Sequence, residues 1–336
     1  MKSTEEFRLY QEKEIKPIVE SLEAKRLGIA NSFSYKKYWR NLKWMAAIAT
    51  VLAISIEVFP SIVPEQLRGA IPLTILYAMF APLYIFIKRN WGFEPINQEY
   101  KQKVIPKFIS FFGSTLTYSA KDGITIREFN YSDLVTRPSG FEAEDLVAGT
   151  VDGIAVRLSD VKCLQSNSSN NSNSNASGGH NSSIIFYGLY AVSKLNKNIP
   201  SRVILKANHI VNNTVSDIAS TFLGNALVGK IHEQLETNIL TTGDTAFDHL
   251  YTVKCADEGV ARKVLTPTLI QLVMAFQKEI KVPVDFSFFD NEVHMALHGV
   301  NLFEGDAHKS FTEKDISSEY FGYINMIIGV AEAAQK

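Results

Sequence analysis

Cysteine is scarce in this chain: Cys163 and Cys255 are the two among 336 residues, far apart and in no C-x-x-C pair. That excludes a disulfide framework and a zinc knuckle and leaves two reduced, largely buried thiols as the expectation. Charge of one sign is missing too. The formal net charge is -1, so no basic surface for nucleic acid and no acidic tail is implied. No G-x-S-x-G nucleophile motif occurs, and neither cysteine has a neighbouring histidine to activate it. An early apolar leader is also absent, because the first apolar run follows some forty mostly polar residues.

What the chain does have is a segregated apolar segment. From Trp44 it reads WMAAIATVLAISIEVFPSIV, and from Gly69 GAIPLTILYAMFAPLYIFI. Each run has about the 20 residues needed to cross a hydrocarbon core of roughly 30 Å. Lys36, Lys37, Arg40 and Lys43 precede the pair and Lys88 and Arg89 follow it, with Trp44 and Trp91 at the outer ends. This pattern fits the positive-inside rule and an aromatic belt. It predicts a two-helix transmembrane hairpin over 44–89, with both termini in the cytoplasm and the protein multi-pass in the cytoplasmic (inner) membrane.

Glu57 is the carboxylate inside the first run, and an ionisable group in mid-membrane is functional by default. Its place three residues before Pro60 argues instead for a shallow, solvated or inter-subunit position near the outer turn Pro64-Glu65-Gln66-Leu67-Arg68. Pro72 falls in the first turn of the second helix, and Pro82 is interior and predicts a kink.

Residues 1–43 read as a charged cytoplasmic helical segment, with Ile15, Ile18, Val19 and Leu22 on one face. Pro17 predicts that the helix begins near there. Residues 90–336 read as a cytoplasmic α+β domain of mainly antiparallel strands with helices, with a pleckstrin-homology-like barrel as one option. Four hairpins are predicted: TLTYS with GITIREF, strands around Asp152-Gly153, SIIFYGLYAVSKL with RVILKA, and strands around Asp290-Asn291. Helices are predicted over 214–240, 267–280 (opened by Thr266-Pro267) and 313–334. The Asn/Ser-rich tract at 166–183 reads as a flexible loop between two strands.

Two decoys carry little chemistry. GNALVGKI (224–231) matches a phosphate loop until Ile231 stands where Mg²⁺ needs a hydroxyl, and helical spacing precedes it. HMALH places His294 and His298 on a strand, about 13 Å apart at roughly 3.3 Å per residue, too far for one ion. On that strand Val293, Met295 and Leu297 are expected in the core and the histidines toward solvent or a partner. No catalytic, cofactor or metal residues are selected; the acidic runs Glu142-Glu144-Asp145 and Asp257-Glu258 read as a strand entry and a helix start.

FDHLYTVKCADEGVARKVLTPTLIQLV (247–273), with AEDLVAGTVDGI (143–154) and VDFSFFDNEVHMALHGVNLFE (284–304), resembles the bacterial domain-of-unknown-function family 3137. Phe247, Tyr251, Val253, Asp257, Ala261, Arg262, Leu265, Thr266, Pro267, Phe303 and Glu304 fill the family's pattern over most of 90–306. The resemblance implies a two-pass membrane protein of unknown activity, no catalytic residues, and a weak link to LemA-like membrane proteins. Arg262 reads as a salt bridge to Asp257 or Glu258 that fixes a helix start.

The functional expectation is a non-enzymatic integral membrane protein whose cytoplasmic domain mediates protein-protein interaction or homo-oligomeric assembly. Its partners would be the lipid bilayer and copies of itself or another membrane protein, with no nucleic acid and no cofactor. The alternative is a membrane-tethered enzyme or small transport component using Glu57. Membrane and interface candidates are Glu57, Trp44, Trp91, Arg262 and Asp257.

Overall fold

The computed structural model describes residues 2–33, 35–58, 70–166, 182–208, 238–312 and 316–336. The chain divides into two compact units. One comprises 16–104 with 305–314, the other 1–15, 105–304 and 315–336.

Helix starts at Thr4, not at Pro17: α1 (Thr4–Tyr10) passes through a π-helical turn, Gln11–Ile15, into α2 (Lys16–Ser32). The wider turn accommodates a proline whose missing N–H cannot join an ordinary helical ladder. Ile15 and Leu22 of the predicted stripe are buried.

The helical unit contains α2, α3 (Tyr35–Val58) and most of α4 (Ala70–Ser110). The Tyr38 hydroxyl donates to Ala78 O at 3.1 Å and its ring lies 5.7 Å from Tyr77, joining α3 to α4. Glu23 holds Arg26 at 2.6 Å and accepts from Phe311 N and Ser310 Oγ at 3.0 Å.

The transmembrane expectation is overturned. Among the described residues, no helix is long and apolar enough to cross a membrane. The apolar part of α3 among the described residues, Trp44 to Val58, rises about 22 Å at roughly 1.5 Å per residue, short of the roughly 30 Å hydrocarbon core. The apolar part of α4 runs into Lys88, Arg89 and Glu94 within one 41-residue helix, unbroken past Pro82. The multi-pass inner-membrane assignment loses its basis with the hairpin. The predicted outer turn at 59–69 lies outside the described residues.

The second unit is an α+β domain built on a seven-stranded antiparallel sheet of β1 (Thr117–Ser119), β2 (Gly140–Val151), β3 (Ile154–Ser166), β4 (Ser182–Ala207), β5 (Asn238–Leu240), β6 (Tyr251–Cys255) and β7 (Val284–His298). Its order is β1-β2-β3-β4-β6-β5 with β7 paired to β4. Strands β1, β2 and β3 follow one another in space. Asp152-Gly153 makes the β2–β3 turn with φ of 49° and 84°, as its residue types predict. Among the described residues no pairing closes β1 onto β5.

The first predicted hairpin does not form. Thr125 caps a short helix, α5 (Ile126–Tyr131), by accepting from Glu128 N at 3.2 Å. Thr-x-x-Glu is a helix-start signal that the alternating pattern of GITIREF obscured.

Strand β4 (Ser182–Ala207) pairs with β3, and Ser166, Ser182 and Ser183 of the predicted loop lie within those strands; 167–181 is outside the described residues. The two halves of β4 do not form the predicted hairpin. They flank β7 (Val284–His298), which itself turns at Asp290 (φ 49°). His298 N accordingly donates back to Pro283 O at 3.0 Å. The sheet thus nests the β7 hairpin inside a bent β4, whose register shifts between Lys194, Ile199 and Val203 supply the extra residues at the tip.

Between them come β5 (Asn238–Leu240), α6 (Thr245–Leu250), β6 (Tyr251–Cys255), α7 (Glu258–Val264) and α8 (Pro267–Ile280). Residues 238–240 are strand where a helix was expected; 209–237, with the GNALVGKI decoy, lie outside the described residues. Thr266 Oγ1 accepts from Leu269 N at 3.2 Å, giving α8 the predicted cap and N1 proline. The closing helix α9 (Ile316–Gln335) packs on α8 and β4.

Candidate functional site

Three places concentrate chemistry or exposed surface. The first is the pair α3–α4. Trp44, Ile48, Val51 and Val58 are exposed at spacings of four, three and seven residues, one seam of a helix, with Ile54 beside it. Trp44 is 69% exposed and Trp91 70%. On α4, Leu76, Phe80 and Leu83 repeat the spacing, and Tyr84 and Phe86 are also exposed. Glu57 lies on α3, but its side chain is outside the described residues.

The second place is an acidic cluster. Carboxylate oxygens of Glu144, Asp145 and Glu304 lie within 4.8 Å of one another. A register shift between Glu144 and Val147 in β2 sets Asp145 at φ 61° and buries it. The Tyr118 hydroxyl donates to Asp145 Oδ1. Burial and the carboxylates of Asp145, Asp160 and Glu304 push the Tyr118 pKa up. Such oxygens suit a hard divalent cation. Asp160 is committed elsewhere, accepting from Leu302 N and Phe303 N at 3.1 Å.

The third is a cavity of about 390 Å³ lined by Arg127, Asn130, Tyr131, Asp133, Arg137 and Arg202. Helix α5 builds most of it. Phe129 points inward onto Phe186 and Tyr190, at 5.7 and 4.8 Å, which turns Arg127, Asn130 and Tyr131 outward together at i, i+3 and i+4. Buried Leu134 and Val135 pin the following loop, with Asp133 at φ 55°. Arg202 reaches in from β4. Its guanidinium lies 4.2 Å from the Phe289 ring centre and 5.7 Å from Tyr131, donates to Tyr131 O at 2.7 Å, and pairs with Asp133. Burial pushes the Arg202 pKa down, with Tyr131 and Asp290 opposing it. Sequence reasoning missed this site because its arginines come from separate elements and no local pattern joins them.

The buried carboxylate of Asp285 is partnered on several sides. Asp285, nearly fully buried, accepts from Lys206 Nζ at 2.8 Å and Ala207 N at 2.9 Å, and His298 Nε2 lies 2.9 Å away. Burial raises its pKa, but Lys206 and His298 outweigh that and hold it well below the carboxylate range. His294 does not face solvent as expected. It is buried along with Val293, Met295 and Leu297, its ring stacked on Phe289 at 4.9 Å and lying 6.0 Å from Tyr190. Cys163 and Cys255 are free and buried, and burial pushes the Cys163 thiol up to about 12.

Asp257 caps α7 by accepting from Val260 N at 3.0 Å, and Arg262 lies 3.9 Å from Glu258 on the exposed side. The remaining pattern positions are mostly core: Phe247 stacks on Tyr251 at 5.3 Å, the Tyr251 hydroxyl donates to Gln277 at 2.8 Å, and Val253, Ala261 and Phe303 are buried. Residues 184–336 match the family described as "Protein of unknown function (DUF3137)". This carboxy-terminal match covers somewhat under half of the chain. The match extends through α9, beyond the resemblance seen in sequence, and leaves out 143–154.

No curated protein matches the chain. Among solved structures, the mycobacterial trehalose monomycolate transport factor A, TtfA, is similar with a TM-score of 0.36 and 10% identity, over 65% of this chain and 86% of that one. Within the matched segment Phe247, Tyr251, Val253, Ala261 and Phe303 are core, and Arg202 is the member of the arginine cavity that falls inside it.

Proposed function

We propose that this protein is a non-enzymatic assembly protein that associates with copies of itself through the apolar faces of α3 and α4. The exposed seam of Trp44, Ile48, Val51 and Val58 carries the reading. Its four-three spacing is that of helices that pack along a shared seam. A contiguous apolar face is costly to leave in water and marks an interaction surface. A second copy is the occupant because each protomer offers two such faces, so one symmetric contact covers both. The seam residues are uncharged and the chain's net charge is -1, so no strong electrostatic repulsion opposes copies meeting.

Light scattering on the full chain after size exclusion tests this. A dimer or larger species is expected, with I48D/V51D shifting it to monomer while far-UV circular dichroism stays unchanged. A wild-type monomer over the accessible concentration range overturns the proposal. So does a monomer that sediments with phosphatidylcholine vesicles, which assigns the seam to lipid.

A further inference from the structure

The cavity lined by Arg127, Arg137 and Arg202 is independent of the α3–α4 seam and has a different chemistry. Its lining carries three arginines against one carboxylate, Asp133. Among the described residues, neither Arg127 nor Arg137 forms an ion pair or a side-chain hydrogen bond, and both are exposed. Two further polar atoms are left unmet. Arg202 Nε and Asn130 Oδ1 are buried with no hydrogen-bond partner. An amide can present its oxygen or its nitrogen, so Asn130 supplies a donor when turned. Buried polar groups without partners are rare in folded proteins and call for an explanation such as a bound water or ion.

The arginines are also arranged differently from a solvated charge cluster. Arg202 lies over the Phe289 ring and is held by Tyr131 O and Asp133, so little freedom is left for a ligand to freeze out. Guanidinium groups present paired N–H donors that match the oxygens of phosphate, and several around one cavity recognise a dianion better than a monoanion. The volume of about 390 Å³ is that of a small-molecule site. The half-exposed Tyr131 ring on the cavity wall offers a planar surface beside the charges.

We propose that this cavity binds a phosphorylated small molecule, with Arg127 and Arg137 closing on the phosphate beside the fixed Arg202. The phosphate is the common element, and Tyr131 decides between an aliphatic and an aromatic body. Of the nearby carboxylates, Asp133 pairs with Arg202 and Asp290 accepts from the Tyr131 hydroxyl at 3.0 Å.

The test is calorimetric titration of the full chain with pyrophosphate, glycerol 3-phosphate and adenosine monophosphate at constant ionic strength. Saturable one-to-one binding is expected, weakened about tenfold or more by R127A and by R137A, as expected when one charged hydrogen-bond partner is lost. Both side chains are exposed, so circular dichroism and the melting temperature should not move; R202A is not used because it also removes packing. Preference for adenosine monophosphate that disappears in Y131A identifies an aromatic body, and equal affinity for glycerol 3-phosphate identifies an aliphatic one. Absence of saturable binding overturns the proposal. Binding unchanged in R127A/R137A, or equalled by chloride and sulfate, overturns it as well. These readouts do not depend on oligomeric state, so failure here and failure of self-association are separable.

Discussion

The Tyr190 hydroxyl lies 2.9 Å from His294 Nδ1 across the β4–β7 pairing, and both side chains are fully buried. On the other side of the ring, His294 Nε2 is 2.9 Å from Glu292 Oε2. An ionised carboxylate only accepts, so Nε2 carries the proton; in the neutral ring Nδ1 then accepts and Tyr190 donates. Y190F keeps the ring that packs on Phe129 at 4.8 Å but strands the Nδ1 lone pair. A loss of about 1–3 kcal/mol in urea unfolding is expected. No change would show that the hydroxyl is dispensable to the core.

Glu292 makes the same network sensitive to acid. The hydrogen bond from His294 lowers its pKa, burial raises it, and Lys194 adds to the lowering, leaving it at about 2 against 4.5 ordinarily. A carboxyl depressed in the folded state stabilises fully above its unfolded pKa and loses that contribution as pH falls through the folded value. Stability from Glu292 should therefore be intact above pH 4.5 and fade toward pH 2. E292Q should flatten the pH dependence of the unfolding midpoint in that window. An unaltered acid limb would place the acid sensitivity elsewhere, for instance at Glu23, which is also held at about 2.

Local chemistry was legible and long-range pairing was not. Thr266-Pro267, Asp257 and Asp152-Gly153 act through bonds within a few residues, so their types alone place a cap or a turn. The nesting of β7 inside β4 depends on residues such as Gly188 and His298, which meet only in the folded sheet. The second apolar run reads as a membrane span because a linear window records composition, not the charges at Lys88, Arg89 and Glu94 that share its helix. The arginine cavity was invisible for a similar reason: Arg127, Arg137 and Arg202 carry no common spacing.

Gly188 tests the nested pairing directly. A Cβ at this position would overlap the carbonyl oxygen of Leu297, which is backbone of the paired strand and cannot rotate away. G188A should cost about 3 kcal/mol, the upper range for overpacking a core. G153A meets open space and carries only the strain of its φ of 84°, about 1–2 kcal/mol. Equal losses in thermal unfolding would mean that β4 and β7 are not so closely apposed.

The family pattern contains residues of unequal weight, and the α7–α8 segment separates them. Thr266 Oγ1 satisfies the Leu269 N–H at the start of α8, so T266A should cost about 1 kcal/mol and T266S almost nothing. Arg262 faces Glu258 at 3.9 Å with both side chains more than half exposed. An exposed pair of that kind contributes about 0–1 kcal/mol, so R262A should leave the urea midpoint nearly unmoved. If R262A destabilises as much as T266A, Arg262 has a partner other than Glu258. If it instead leaves stability intact but alters self-association in light scattering, the residue belongs to an interface rather than to the helix start.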